Sequence, residues 1–339
     1  MNCMEMKNGK LVMLVVIVVV AASVGVAALA LNGSADESLR IAYSNKVDYE
    51  PLIIANELDL YSEEGVKVTT YTVTGGIQAA EALATGAVDL AAMGDSPALL
   101  LLSQNSEMRI VGRYGGGEGM HRIVGWNDIT TPQELIGKSV GIQFGSSTHG
   151  AFLSWADSED LNLSEVNLVP LSPTDMPQAI ATRQIDAMAG SEPWPTNVEN
   201  TCGDQVHEIG NSSGLGNTFP LVLVTTKTVI DTRSSELQSV MNAIGMAVDI
   251  INQDREYSAS ICCNLTGLCA EDQLRCMEPL FYEMDFNQTD QDSMELTASF
   301  LVEYGKIQEI PPLDDLVDRR FLGVGGCCDP VETATCIIE

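Results

Sequence analysis

The chain has 339 residues, 45% of them hydrophobic and 5% aromatic, so it is long enough for two lobes of ordinary size with largely aliphatic cores. Its 17 Lys and Arg residues stand against 47 Asp and Glu residues, a formal net charge of −30. This balance argues against nucleic acid and anionic lipid surfaces as partners, because both attract basic proteins. The acidic charge fits a solvated surface, and attraction of a cationic ligand is the alternative.

The N-terminal segment has Lys7 and Lys10 before an uncharged apolar run over residues 11–31. About 20 apolar helical residues span the hydrocarbon core of a bilayer, and the lysines are expected on the cytoplasmic side. The run is longer than that of a cleavable signal, although residues 28–30 resemble a cleavage site. We therefore predict a membrane anchor and linker over residues 1–35, with a removed signal as the alternative. The rest of the chain is expected on the outer face of the cytoplasmic membrane.

All of the nine cysteines except Cys3 follow this apolar run. Clustered cysteines outside the cytoplasm indicate structural disulfides, although their connectivity cannot be read from sequence. Metal binding and reactive thiols are the alternatives, but the spacing matches no zinc or iron–sulfur pattern. The disulfide candidates are Cys202, Cys262, Cys263, Cys269, Cys276, Cys327, Cys328 and Cys336.

Strand and helix patterns alternate at short spacing after the linker, which is typical of a parallel sheet covered by helices. The first elements are predicted as strand 39–43, helix 51–60, strand 66–73, helix 77–85, strand 88–93 and helix 97–104. The later elements are predicted as strand 139–144, helix 148–155, strand 166–171, helix 176–182 and strand 185–188.

Two segments 97 residues apart have similar sequences. Residues 82–89 (ALATGAVD) and 179–186 (AIATRQID) both have the pattern of a helix end, a turn and a strand start. At the same offset Asp95 falls on Glu192, each on a loop with a nearby proline. Ligands of open α/β sheets bind beyond the carboxyl ends of the strands. The repeat therefore predicts two similar lobes whose loops face each other across a cleft.

A third loop, residues 143–150, follows a predicted strand and opens a helix, which favours an anion site built from free N–H groups and hydroxyls. Simple helix capping is the alternative for Ser147 and Thr148. Glu192 either binds a ligand amine or complements a helix dipole, and Trp194 either stacks on a ligand or fills the cleft floor. The candidate ligand-binding residues are Tyr43, Ser44, Gly75, Gly76, Asp95, Ser96, Glu118, Phe144, Ser146, Ser147, Thr148, His149, Glu192 and Trp194.

Three parts of the chain resemble the nitrate/sulfonate/taurine-type periplasmic binding proteins, a group that also includes thiamine-precursor binders. They are residues 86–97 (GAVDLAAMGDSP), residues 137–148 (GKSVGIQFGSST) and residues 192–194 (EPW), and the likeness extends over residues 39–255. The resemblance implies an α/β, two-lobed type II periplasmic-binding-protein fold. Each lobe would be a mostly parallel sheet flanked by helices, with the N-terminal transmembrane helix in front.

The same resemblance implies how the chain divides. Lobe 1 would comprise residues 36–120 and 221–339, including the cysteine-rich C-terminal part that departs from the family pattern. Lobe 2 would comprise residues 121–220, and the chain would cross between the lobes near residues 118–122 and 219–224.

The expected function is the extracytoplasmic solute-binding component of an ABC importer that captures a small polar or anionic organic ligand, such as a sulfonate, a taurine-like compound or nitrate. The expected partners are this ligand, an ABC permease subunit and the membrane through residues 11–31, without nucleic acid, cofactor or metal. The chain has three histidines and no HExxH, GxSxG or GxGxxG motif, so no catalytic residue is predicted. The alternatives are a thiamine-precursor or pyrimidine-binding protein, a related synthase, and a ligand sensor.

Overall fold

The computed structural model describes residues 38–322, and within that range the chain forms two five-stranded sheets. The strands are β1 (Leu39–Ser44), β2 (Val68–Val73), β3 (Leu90–Gly94), β4 (Met108–Gly115), β5 (His121–Trp126), β6 (Ser139–Ile142), β7 (Asn167–Pro170), β8 (Ala187–Ser191), β9 (Val206–Asn211) and β10 (Leu221–Thr226).

Helices follow most of the strands. The α-helices are α1 (Glu50–Glu57), α2 (Leu60–Glu63), α3 (Gly76–Ala84), α4 (Asp95–Gln104), α5 (Ser147–Ser158), α6 (Met176–Ala181), α7 (Trp194–Cys202), α8 (Lys227–Thr232), α9 (Ser234–Gln253), α10 (Arg255–Thr266), α11 (Ala270–Met277), α12 (Gln288–Glu303) and α13 (Leu313–Leu316).

The two sheets have matching topologies. The first sheet has the order β2-β1-β3-β10-β4, with β10 antiparallel to both of its neighbours. The second sheet has the order β7-β6-β8-β5-β9, with β5 antiparallel to both of its neighbours. In each sheet the first three strands are parallel. The predicted α/β fold with two mostly parallel sheets is confirmed.

The 97-residue repeat corresponds to a real structural repeat, because β3 and β8 begin and end at that offset. The aspartate before each of these strands has the same role. Asp89 accepts the backbone N–H of Arg40 at 2.9 Å, and Asp186 accepts the backbone N–H of Ser139 at 2.8 Å. Each carboxylate thereby joins the start of its strand to the start of the parallel neighbour, β3 to β1 and β8 to β6.

The chain passes between the two sheets through residues 116–120 and 212–220. These segments run side by side, since the Gly117 N–H donates to the Thr218 carbonyl at 2.7 Å. The predicted second crossing near 219–224 was placed too late, because Leu221 already begins β10. The exact division into lobes stays a prediction.

The five described cysteines, at positions 202, 262, 263, 269 and 276, form no disulfide with one another, which corrects the expectation of disulfides among them. Cys262 and Cys276 are buried in the hydrophobic core, and the Cys276 sulfur lies 3.3 Å from the Thr196 hydroxyl oxygen. Bonds to Cys327, Cys328 or Cys336 stay a prediction, because those residues lie outside the described range.

The predicted anchor over residues 11–31 also lies outside the described residues. Within residues 38–322, no helix combines the length and apolarity that crossing a membrane requires.

Candidate functional site

A cleft lies where the carboxyl ends of the parallel strands of both sheets face each other; we call it the central cleft. It holds about 610 Å³ of empty space, part of it open to solvent. Its lining residues are Lys46, Asp48, Tyr49, 74–77, Gly94, Pro97, Met120, His121, Gln143, 146–148, Pro173, Met176, 189–191, Trp194, Phe219 and Leu221.

Six of the predicted ligand-binding residues line this cleft. Gly75 and Gly76 open helix α3 after β2, and Trp194 opens α7. Ser146, Ser147 and Thr148 form the beginning of α5, where Ser146 caps the helix by accepting the His149 N–H at 3.2 Å. The first N–H groups of a helix lack partners within it, so this turn can receive an anion.

Lys46 was not predicted and supplies the positive charge of the cleft. Among the described residues that line it, Lys46 is the one Lys or Arg. Its Nζ donates to Ser191 Oγ at 2.7 Å and pairs with Asp48 Oδ2 at 3.2 Å. The signal that could have identified it is its position two residues after the carboxyl end of β1.

Asp48 is the buried partner of Lys46 and was also missed. Its side chain is 9% exposed, and its Oδ1 atom has no hydrogen-bond partner in residues 38–322. Burial raises the pKa of Asp48, while the Lys46 ammonium opposes that shift. Lys46 and Asp48 therefore give the cleft a cation and a buried carboxylate, and one oxygen of that carboxylate is unpaired within residues 38–322.

His121 lies at the start of β5 and also lines the cleft. The distance between its Nδ1 and the Thr148 hydroxyl oxygen is 3.0 Å, and its ring packs edge-on against Phe219 at 4.9 Å between centroids. Burial lowers the pKa of His121 to about 3, so the imidazole is neutral at physiological pH. It can donate or accept a hydrogen bond there, but it adds no charge.

Glu192 does not line the central cleft, contrary to the prediction. Its Oε1 accepts from Arg122 Nη1 at 2.7 Å, and its Oε2 accepts the Thr196 N–H at 3.1 Å. Arg122 also pairs with Glu199 and Glu208. The carboxylate is held by this ion-pair cluster and by the first turn of α7, and its contact with a ligand amine stays a prediction.

Asp95 and Ser96 are fully buried behind the cleft wall and do not line it. Asp95 Oδ2 accepts from the Thr297 hydroxyl at 2.6 Å, which ties the start of α4 to α12. Burial raises the pKa of Asp95. Their neighbour Gly94 lines the cleft instead, and ligand contact by Asp95 and Ser96 stays a prediction that the observed lining does not support.

Five further candidates lie away from the central cleft. Tyr43 and Ser44 are buried at the end of β1, and exposed Glu118 accepts the Gly214 N–H at 3.4 Å in a crossing segment. Phe144 is 40% exposed beside an adjacent apolar groove, with the His149 ring edge-on at 4.8 Å. His149 Nδ1 accepts the Gly145 N–H, and burial lowers its pKa to about 4.

Comparison with known proteins gives relatives that are named as binding proteins. The taurine-binding periplasmic protein of Escherichia coli K12 is 26% identical over 172 residues, which cover 50% of this chain and 52% of that protein. A protein of Brucella abortus strain 2308, whose name gives a binding role but no ligand, is 23% identical over 209 residues, 61% of this chain and 65% of that protein. The chain thus spans less than two thirds of the length of these relatives.

Among solved structures, the alkanesulfonate-binding protein SsuA from Xanthomonas axonopodis pv. citri, bound to MOPS, superposes with a TM-score of 0.74. The sequence identity is 23%, and the match covers 85% of this chain and all of SsuA, so the two share their fold. The model of the NMT1-like family matches residues 32–265, well over half of the chain. The chain belongs to the NMT1-like family.

Proposed function

We propose that the chain is the extracytoplasmic solute-binding component of an ABC importer and that it binds a small organic sulfonate in the central cleft. The observation that carries the proposal is the combination of the Lys46 ammonium with the first turn of α5 in one cleft. Both features attract an anion, and they come from opposite sheets.

A sulfonate suits this lining because it carries one negative charge on three acceptor oxygens. The cleft offers Lys46, the Ser147 hydroxyl and the N–H groups of the first turn of α5 as donors, whereas the Ser146 hydroxyl already donates to the Gln143 carbonyl at 2.7 Å. The Trp194 Nε1 atom is buried and has no hydrogen-bond partner in the described part of the chain. Such a buried donor gains from a ligand acceptor, because leaving it unsatisfied is costly.

The relatives support the ligand class and the setting. One is named for taurine and a periplasmic location, and a structural neighbour is named for alkanesulfonates. The names of these relatives also support binding rather than catalysis. An ABC permease subunit is the partner that would receive the ligand. We also propose that residues 11–31 anchor the protein outside the cytoplasm, and that lobe 1 (36–120 and 221–339) closes on lobe 2 (121–220).

A thermal-shift screen of the full chain in detergent tests the proposal. The compounds are taurine, ethanesulfonate, nitrate and an aminopyrimidine of the thiamine-precursor type. A ligand that binds only the folded state raises the melting temperature in a saturable manner. We expect this response for a sulfonate. A response to the aminopyrimidine alone, or to none of the four, would refute the proposed ligand class.

A further inference from the structure

The Asp48 carboxylate has one oxygen that is available to a donor group of the ligand. One oxygen, Oδ2, is occupied by Lys46 at 3.2 Å. The other, Oδ1, is buried and has no hydrogen-bond partner among residues 38–322, although the residue lines the central cleft. A buried acceptor without a donor is unfavourable unless another molecule supplies one.

The charge balance of the cleft also favours a ligand that carries an amine. Lys46 and Asp48 neutralise each other in the absence of ligand. A plain anion would bring the total to one negative charge close to a buried carboxylate. A ligand that carries an acidic head and a cationic amine would keep the total at zero, and its amine would also supply the missing donor.

The short distance within the Lys46–Asp48 pair limits the ligand's size. The acidic group that contacts Lys46 and the amine that contacts Asp48 must lie close together. This favours a compact molecule with only a few bonds between the two groups.

We propose that Asp48 is the specificity-determining residue that accepts a hydrogen bond from the ligand's amine, so that the cleft selects short aminosulfonates over alkanesulfonates of the same length. This inference rests on the proposed sulfonate function. Glu192, the carboxylate that the sequence suggested for this role, is held by Arg122 and by the Thr196 N–H.

Calorimetric titration of the full chain in detergent with taurine and with ethanesulfonate tests the inference. The two ligands differ by the amine alone. We expect taurine to bind the wild type more tightly, and Asp48→Asn to weaken taurine roughly ten- to a hundredfold, the factor that corresponds to a hydrogen bond with a charged partner. Ethanesulfonate should bind Asp48→Asn as well as or better than the wild type, which also shows that the variant is folded.

The variant Glu192→Gln is the contrast, because it alters a buried carboxylate outside the cleft lining. It should leave the ratio of the two affinities unchanged. Equal losses of both ligands in Asp48→Asn, or a wild type that does not distinguish them, would overturn the role of Asp48 and leave sulfonate binding intact. Absence of binding by both ligands to the wild type would overturn the sulfonate function and this inference with it.

Discussion

The ammonium group of Lys46 donates to the hydroxyl of Ser191 across 2.7 Å, and this bond joins the segment after β1 to the carboxyl end of β8. The two ends belong to different sheets. A ligand anion that also contacts Lys46 would therefore stabilise the arrangement in which the sheets face each other closely. A ligand shifts the equilibrium between an open and a closed arrangement of the sheets only as far as it binds one of them more tightly than the other.

Lys46→Gln should weaken sulfonate binding at least tenfold, because it removes the one positive charge among the described residues that line the central cleft. Calorimetric titration with the tightest sulfonate measures the loss. Lys306→Gln is the matched control, since Lys306 is exposed and outside the cleft lining. A similar loss in both variants would mean that only the overall charge of the protein matters.

Gly94→Ala should prevent full closure of the cleft. A Cβ atom at Gly94 would lie 2.2 Å from Ser147 Oγ, and these residues belong to β3 and α5 on opposite sides of the cleft. We expect a larger radius of gyration in the presence of ligand and a weaker affinity. Gly245→Ala is the control, because the nearest atom to its Cβ would be 3.8 Å away. Small-angle scattering that shows the same compaction for both variants would argue against closure at this point.

Glu192→Gln should lower stability while leaving sulfonate affinity within about twofold. Glu192 is one of three carboxylates on Arg122, which is 18% exposed, so its loss should cost about 1–2 kcal/mol of the free energy of unfolding. Urea denaturation and titration calorimetry measure the two quantities. The exposed Glu159→Gln is the control. A large selective loss of taurine in Glu192→Gln would restore the ligand role that the sequence suggested.

Glu50 predicts a pH effect on stability. It is buried at the start of α1 and accepts from Gln273 Nε2 at 2.5 Å, and burial raises its pKa from 4.5 to about 7. Both the folded and unfolded forms are protonated below pH 4.5, whereas above pH 7 the folded protein holds an unfavourable charge. Stability should therefore fall as the pH rises from 4.5 to 7.

Glu50→Gln removes the group whose ionisation destabilises the folded protein. It should therefore raise the free energy of unfolding by about 2–3 kcal/mol at pH 8 and very little at pH 4.5. Chemical denaturation at the two pH values measures the difference. Glu57→Gln, at the exposed end of the same helix, serves as the control and should show no such dependence. An equal effect of Glu50→Gln at both pH values would contradict the assigned titration.

The sequence predicted the parts of the fold and site that depend on local pattern. The repeat of residues 82–89 in residues 179–186 placed β3 and β8 in equivalent positions, and the turn at Ser146–Thr148 was recognised from its hydroxyls after a strand. These features are determined by neighbouring residues, so a single segment carries the information.

The failures concern partners that are distant in the sequence. Glu192 could not be excluded from the cleft without knowing that Arg122, 70 residues earlier, reaches it. Asp95 was misplaced because its partner Thr297 lies 202 residues later. Lys46 lies in a short turn that looks ordinary until Ser191, 145 residues away, is brought next to it.

The most direct test of sulfonate binding at the central cleft is a crystal structure of the protein grown with taurine. We expect the sulfonate oxygens to lie within hydrogen-bonding distance of Lys46 Nζ and of the first turn of α5, with the amine on Asp48 Oδ1. Taurine bound elsewhere, or a central cleft that holds no taurine at saturating concentration, would contradict this expectation.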